Sequence, residues 1–154
     1  MPDPELPMLT LADLGVLRDV SVEADGTVVA SLTPTYSGCP AMAEMRAGVA
    51  ARLREAGFAR VEIRTVLDPA WTSDWITEAG RRKLAEHGIA PPHPAPRRPA
   101  GPVPLVLSPA PRTVRCPRCA SPDTEETSRF AATSCKALWR CRACQEPFEY
   151  VKEI

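Results

Sequence analysis

Two pairs of cysteines near the C-terminal end constrain the fold of this chain more than any other feature. Cys116-Pro-Arg-Cys119 and Cys141-Arg-Ala-Cys144 are separated by 21 residues, which is close to the spacing of a four-thiolate zinc ribbon. Each pair puts two sulfurs on one tight turn, and two facing turns complete a tetrahedron around a metal ion. Between the pairs, RFAATS and ALWR are candidate strands, so we expect hairpins that join the turns.

Metal would supply much of the folding free energy of this segment, because it has too few apolar residues to fold by burial alone. Zinc is the expected ion, and the sequence leaves iron or a cluster open. Four arginines flank the sulfurs and can offset the negative charge of a four-thiolate centre: Arg115, Arg118, Arg140 and Arg142. Nucleic-acid binding is therefore disfavoured. A redox pair is also disfavoured, since neither Cys-x-x-Cys opens a helix within a βαβ pattern.

The N-terminal sequence bears on the redox state of the six cysteines. MPDPELPMLT has neither a basic leader nor an apolar signal core, so we expect a cytoplasmic protein with reduced thiols. Metal binding then outranks disulfide formation. No apolar run approaches the ~20 residues that cross a bilayer, which predicts no membrane association.

Proline marks a boundary within the chain. Nine of the 18 prolines lie between residues 91 and 111, a composition that favours extended polyproline geometry. We predict a domain over residues 1–90, a Pro-rich linker over 91–112 and a zinc ribbon over 113–154. The apolar residues at 103–107 could dock on a neighbouring surface.

The first 90 residues predict a small α+β domain with the element order α-β-β-α-β-α, its helices packed on a small sheet. Thr10 can cap a short helix LADL, and VSVEADGTVVASLT alternates around an Asp25-Gly26 turn, which predicts a β-hairpin. A helix follows, ended by Gly57, and its apolar positions are typical of core residues: Met42, Met45, Val49 and Leu53. A strand over residues 61–67 and a helix from the Thr77 cap to Gly88 complete the domain.

Cys39 stands apart from the C-terminal cysteines, in TPTYSGCPAM, just before the predicted Met42 helix. The start of a helix lowers the pKa of a thiol and favours a nucleophilic, metal-binding thiolate. A buried cysteine at a strand-to-helix turn is the competing interpretation. If the N-terminal segment folds back beside Cys39, Asp3 and Glu5 could complete a transient iron site; otherwise Asp3-Pro4-Glu5 caps the first helix. His87 and His93 are placed in exposed segments, so a cysteine hydrolase is disfavoured.

Three further residues have two interpretations each. Cys135 is either a small buried apolar side chain, which we favour, or an extra ligand for a metal or cluster in transit. Trp71 and Trp75 are either core aromatics or a docking patch, and we favour the core for at least one of them.

DPELPMLTLADLGVL and TPTYSGCPAM resemble the MIP18/SufT-like (DUF59) family, whose members assist iron–sulfur assembly. DPAWTSDWITEAGRRKLAEHGIAPP and SCKALWRCRACQEPFEYVK resemble, more narrowly, the family of D proteins of the bacterial phenylacetyl-CoA epoxidase system of phenylacetate degradation. The resemblance implies a MIP18-like domain followed by a ribbon that uses Cys116, Cys119, Cys141 and Cys144 for metal. It also implies that Asp3, Glu5 and Cys39 transfer iron or a cluster.

The resemblance implies a non-catalytic accessory or maturation factor. Its expected partners are the epoxidase components, a di-iron oxygenase or a reductase with a flavin and an iron–sulfur cluster. The alternative is a stoichiometric structural or electron-transfer subunit of the epoxidase complex. A ribbon that binds nucleic acid is the weakest candidate. The sequence leaves open which component is the client and whether the chain forms a homodimer.

Overall fold

The computed structural model describes residues 1–95 and 113–154. The predicted linker, 91–112, and its apolar residues 103–107 therefore lie largely outside the described residues. The described residues form seven strands, β1 (Leu17–Val22), β2 (Val28–Leu32), β3 (Val61–Thr65), β4 (Ile89–Ala90), β5 (Thr124–Ser128), β6 (Lys136–Cys141) and β7 (Pro147–Val151). They also form helices α1 (Met42–Glu55) and α2 (Glu78–Glu86), and a 3-10 helix at Ser73–Trp75. The α+β class is confirmed.

The first sheet contains the predicted hairpin. β1 and β2 are antiparallel, and β3 joins the other side of β2 in parallel, which gives the order β1-β2-β3. At the turn, Gly26 has a φ of 83°, and Asp25 Oδ1 accepts a hydrogen bond from the Thr27 N–H at 2.9 Å. Glycine adopts this positive φ without steric cost, which is why the turn can be recognised in the sequence.

Helix α1 connects β2 to β3 and packs against both strands. Met45 and Val49 are buried, while Met42 and Leu53 are partly buried against the same hydrophobic cluster. The prediction that these positions form core is confirmed. Gly57 has a φ of 97° just after the helix, as a glycine that ends a helix does.

The predicted first helix at residues 11–14 is wrong, because the chain makes a single turn there. The Leu11 carbonyl accepts the N–H of Val16 at 2.9 Å, which reverses the chain after one turn. Gly15 has a φ of 73°, and a Cβ on it would lie 2.6 Å from the Trp75 Cβ. So few residues provide too few hydrogen bonds to offset helix nucleation, and the turn is instead held by tertiary contacts.

Helix α2 has the predicted limits. Thr77 Oγ1 accepts a hydrogen bond from the Gly80 N–H at 3.0 Å at its start, and Gly88 has a φ of 76° after its end. The chain then enters β4, which pairs in parallel with β7 of the C-terminal sheet.

The second sheet has the order β4-β7-β6-β5. ALWR lies in β6 as predicted, whereas the prediction of a strand at RFAATS is wrong. On one side β6 pairs with β7, and on the other it pairs with the earlier segment TEETS, which forms β5. Residues 129–134 instead form the connection, with a local hydrogen bond from Ser128 Oγ to the Phe130 carbonyl at 2.7 Å. β5 is an edge strand of mostly polar residues, so it lacks the apolar alternation that marks a strand in the sequence.

Two hydrophobic clusters meet near the second sheet. One lies around α1 and β2, and the other lies within the ribbon around Trp139 and Tyr150. Val151 of β7 belongs to the first cluster, and the Ser73 N–H donates to the Ile154 carbonyl at 3.1 Å. The C-terminal strand therefore packs directly against the N-terminal part of the chain.

Candidate metal centres

Four cysteines converge at one end of the second sheet. Their sulfurs all lie within 4.8 Å of one another: Cys116, Cys119, Cys141 and Cys144. The Sγ–Sγ distance is 3.8 Å between Cys116 and Cys144 and 3.6 Å between Cys119 and Cys141. A tetrahedral ion with bonds of about 2.3 Å requires sulfur separations of about 3.8 Å. The four thiols therefore fit zinc, which has a preference for tetrahedral sulfur sites.

The two cysteine turns have the same backbone geometry. In each turn the N–H of the first cysteine donates to the carbonyl five residues later, at 3.0 and 2.9 Å. The residue after the second cysteine has a positive φ in both turns, 58° at Ala120 and 64° at Gln145. The Cys144 N–H also donates to Cys141 Sγ at 3.5 Å, which lowers the pKa of the Cys141 thiol to about 7. Both turns thus aim their two sulfurs at a common point.

The arginines beside the sulfurs have partners within the ribbon. Arg142 lies 2.7 Å from a Glu125 carboxylate oxygen, and Arg118 lies 3.1 Å from Glu146. Arg115 donates to the Ala120 carbonyl at 3.2 Å and Arg140 donates to Gln145 Oε1. Two of the four guanidinium groups are thus ion-paired within the ribbon, and the other two donate to neutral oxygens.

A second candidate site surrounds Cys39. A cavity of about 20 Å³ lies between the N-terminal segment, the loop before α1 and the ribbon. Its polar lining includes Asp3, Glu5, Cys39 and Cys135. This volume holds one water molecule or one ion. The fold therefore brings the three predicted transfer residues to one cavity and adds a ribbon cysteine to them.

The donors around the Cys39 cavity are spaced more widely than the sulfurs of the four-cysteine cluster. Across residues 1–95 and 113–154, the four ribbon cysteines are the only group of three or more His, Cys, Asp or Glu side chains whose ligand atoms lie within 4.8 Å of one another. The donors around Cys39 would have to draw together to coordinate one ion.

Asp3 has a structural role besides lining the cavity. Its side chain is buried, and Oδ1 accepts hydrogen bonds from the Glu5 N–H at 2.9 Å and the Leu6 N–H at 2.8 Å. Asp3 therefore caps the turn that carries Glu5. Burial and the Asp3 carboxylate raise the pKa of Glu5, and the Lys136 ammonium partly opposes that shift.

The expectation of a lowered Cys39 pKa is wrong. Helix α1 begins at Met42 with Ala41 as its N-cap, so Cys39 lies outside the first turn. Burial raises the pKa of the thiol more than a hydrogen bond from the Ala41 N–H lowers it, and the carboxylates of Glu5 and Asp3 raise it further. A cation in the cavity would reverse this balance, since metals bind the thiolate.

Cys135 is buried, which confirms the favoured interpretation, but sequence reasoning did not place it beside Cys39. It is 8% exposed and lines the Cys39 cavity, whereas the ribbon sulfurs gather at the far end of β6. Burial raises the pKa of its thiol, and Thr133 Oγ1 lies 3.1 Å from its sulfur. A strand alternates its side chains between two faces, so Cys135, Ala137, Trp139 and Cys141 share one buried face. That alternation was the available signal for the burial of Cys135, but it does not indicate the Cys39 cavity.

The remaining candidates have simple placements. Trp71 is buried and its Nε1 donates to the Leu14 carbonyl at 3.0 Å, which confirms a core role for one of the two tryptophans. Trp75 is partly buried, with the Arg18 guanidinium 3.5 Å from its ring centroid. His87 and His93 are exposed, and neither lines the Cys39 cavity.

Comparison with known proteins identifies the family. The chain is 46% identical over all of its 154 residues to the D component of the "Putative 1,2-phenylacetyl-CoA epoxidase" of Escherichia coli strain K12, and covers 87% of that protein. Residues 100–152 match the family model of the PaaD zinc beta ribbon domain. The chain belongs to the PaaD family. Residues 1–66 of this PaaD-family chain also match the model of an iron-sulfur cluster assembly protein.

Two more proteins resemble part of this PaaD-family chain. It is 32% identical over 83 residues to the "Fe-S protein maturation auxiliary factor" of Porphyromonas gingivalis, a match that covers 53% of the chain and 78% of that protein. A crystal structure of a domain of unknown function, DUF59, from Bacillus anthracis superposes with a TM-score of 0.49 at 24% identity, over 54% of this chain and 79% of that one. In the described part of the chain, neither helix has the length and apolar character needed to cross a membrane.

Proposed function

We propose that this chain is an accessory maturation factor for a phenylacetyl-CoA epoxidase and helps to deliver iron or an iron–sulfur cluster to one of its components. The observation that carries the proposal is the cavity in which Cys39, Glu5 and Asp3 meet from distant parts of the sequence. The names of the two relatives, an epoxidase component and an Fe-S maturation factor, support it.

Delivery of a metal requires a site that binds it weakly enough to release it, and the two candidate metal centres differ in this respect. The ribbon offers four thiols with the spacing of a closed tetrahedral site, which suits permanent binding. The Cys39 cavity offers thiol and carboxylate donors that are further apart, so it would hold iron weakly and release it readily. Iron is thus the cargo whose size fits the Cys39 cavity, while the ribbon metal is structural.

The size of the Cys39 cavity favours a non-catalytic role. Sites for small organic substrates usually have volumes of about 300–1,000 Å³, and this cavity has about 20 Å³. It admits an ion but not an acyl-CoA. Neither described histidine lines it, so it lacks the usual base of a cysteine nucleophile.

Co-expression with the epoxidase tests the proposed function. We expect the oxygenase or the reductase to lose iron or cluster occupancy when this chain is absent or carries Cys39→Ala. The ribbon zinc content of the variant should remain that of the wild type, which shows that the variant is folded. Full metal occupancy and full activity of the epoxidase beside Cys39→Ala would reject delivery through Cys39.

A stoichiometric structural or electron-transfer component of the epoxidase is the second candidate, because the Escherichia coli relative is named as one of its subunits. This alternative predicts that the chain co-purifies with the oxygenase in a fixed ratio. It also predicts that turnover by a fully metallated epoxidase still requires the chain. A maturation factor is dispensable in that assay.

We also propose that residues 1–90 form the assembly domain, 91–112 the linker and 113–154 the ribbon. The matched ranges, 1–66 and 100–152, support an assembly part followed by a ribbon part, and the ribbon match begins within the proposed linker. Limited proteolysis should first cleave within residues 91–112.

A further inference from the structure

Strand β6 connects the two metal centres. It runs from Lys136 to Cys141, a ribbon ligand, and Cys135 precedes it directly. Six residue steps of about 3.3 Å put Cys135 about 20 Å from Cys141. A metal bound by Cys141 would hold one end of β6 in place. Cys135, at the other end, lines the Cys39 cavity, so the same metal would help to position its thiol.

The backbone at Cys135 is held by the ribbon. Its carbonyl accepts a hydrogen bond from the Lys152 N–H at 3.0 Å, just after β7. The neighbouring Lys136 is buried, and its ammonium lies 2.7 Å from a Glu149 carboxylate oxygen. Val151 of β7 lines the same cavity. The ribbon thus contributes both a wall and a sulfur to this cavity.

The loop that carries Cys39 faces the ribbon across this cavity. Thr35 and Cys39 of the loop line it together with Cys135 and Val151 of the ribbon. The two thiols of the cavity therefore lie where the assembly domain and the ribbon meet.

We propose that Cys135 is the second thiol ligand of the Cys39 site, so that cargo iron binds between the assembly domain and the ribbon. This inference rests on the proposed function and adds a ligand and a purpose for the ribbon. The ligand is Fe²⁺ or a similar thiol-binding divalent cation, and each thiol releases its proton to solvent when it binds. The ribbon metal holds β6 and thereby positions Cys135.

Cobalt(II) titration of the zinc-loaded chain without oxygen tests this inference, because Co²⁺ bound by thiolates has sulfur-to-metal charge-transfer absorption. We expect the wild type to bind one Co²⁺ beyond its ribbon zinc. Cys135→Ser should lower the charge-transfer intensity of that ion to about half and weaken its binding at least tenfold, since loss of even an outer-shell partner costs about 10–100-fold. Cys39→Ser should have a similar effect.

Val151→Ala is the matched control, because it alters the cavity wall without removing a donor atom. It should retain most of the charge-transfer intensity, and all variants should keep their ribbon zinc. Binding by Cys135→Ser that equals the wild type, while Cys39→Ser loses it, would overturn the Cys135 ligand and leave the proposed function standing. A wild type that binds no second ion would overturn both.

Discussion

At the scale of single residues, Asp3 and Glu5 line the same cavity but have different structural roles. Asp3 uses Oδ1 to satisfy two backbone N–H groups, so it holds the turn in place. Glu5 is partly buried and its charge is disfavoured there, by burial first and by Asp3 second. A residue whose charge costs stability is typical of a functional site.

Asp3→Ala and Glu5→Gln should therefore separate stability from delivery. Asp3→Ala leaves two backbone donors without an acceptor and should lower the free energy of unfolding by about 1–3 kcal/mol. A carboxyl group whose pKa is raised by folding destabilises the folded state once the pH exceeds the pKa that the group has in the unfolded chain. Glu5→Gln removes this unfavourable charge, so the variant should be at least as stable as the wild type at pH 7. Urea unfolding measures both, and client iron content should fall for Glu5→Gln. A clear loss of stability in Glu5→Gln would contradict the assignment.

At the scale of elements, the turn at residues 10–15 replaces a predicted helix and organises its surroundings. Asp13 accepts hydrogen bonds from the Thr10 N–H at 3.0 Å and from the Lys83 ammonium at 2.7 Å. Its backbone carbonyl accepts the Thr77 N–H at 2.9 Å. The Lys83 hydrogen bond, followed by the bond from the Thr10 backbone, lowers the pKa of Asp13 to about 2.

Asp13→Asn should lower the free energy of unfolding by about 1–2 kcal/mol at pH 7. This value is smaller than the one the full pKa shift would imply, because Lys83 is partly exposed and solvent screens its charge. Since the folded pKa is depressed, this stability is present above pH 4 and is lost as pH falls towards 2. The stability difference between wild type and variant should narrow between pH 5 and pH 3 in urea unfolding. Asp19→Asn, at an exposed carboxylate of β1, is the control. A difference that stays constant over this range would contradict the role of Asp13.

The ribbon turns give a third prediction. Cys116→Ser should abolish tight zinc binding and with it the protection of amides in β5, β6 and β7 from hydrogen exchange, because structural zinc supplies about 10–16 kcal/mol in such sites. Amides of β2 should remain protected. Cys135→Ser is the matched control, since its sulfur lies outside the four-cysteine cluster, and it should keep zinc and protection. Loss of zinc from Cys135→Ser would show that the four cysteines of the cluster are not sufficient to bind zinc, which would contradict this assignment.

The sequence predicted the elements whose signals are local. The Cys-x-x-Cys turns, the Asp25-Gly26 hairpin and the Thr77 cap are each specified by a few adjacent residues, and all three are present. RFAATS and LADL were misassigned because contacts with distant residues determine their conformations. On that side of β6 the paired strand is TEETS and not RFAATS, and Trp75 packs against Gly15 beside LADL. The location of Cys135 depends on how the ribbon packs against residues 1–90, which no local pattern encodes.

At the scale of the whole molecule, the ribbon and the N-terminal part are joined rather than separate in the described residues. β4, before the Pro-rich segment, pairs with β7, and the C-terminal backbone bonds to Ser73. The ribbon metal and the Cys39 cavity therefore lie at opposite ends of one sheet strand. Under the proposed function, this arrangement would separate a metal that holds structure from a metal that is passed on.

Elemental analysis of the purified chain tests that separation most directly. The chain would be loaded with Fe²⁺ without oxygen, desalted, and then treated with a mild chelator. We predict one zinc per chain that survives every step, and one iron that the chelator removes and that Cys39→Ala never acquires. A well-folded chain without metal in its ribbon, or iron bound equally by Cys39→Ala, would contradict the account.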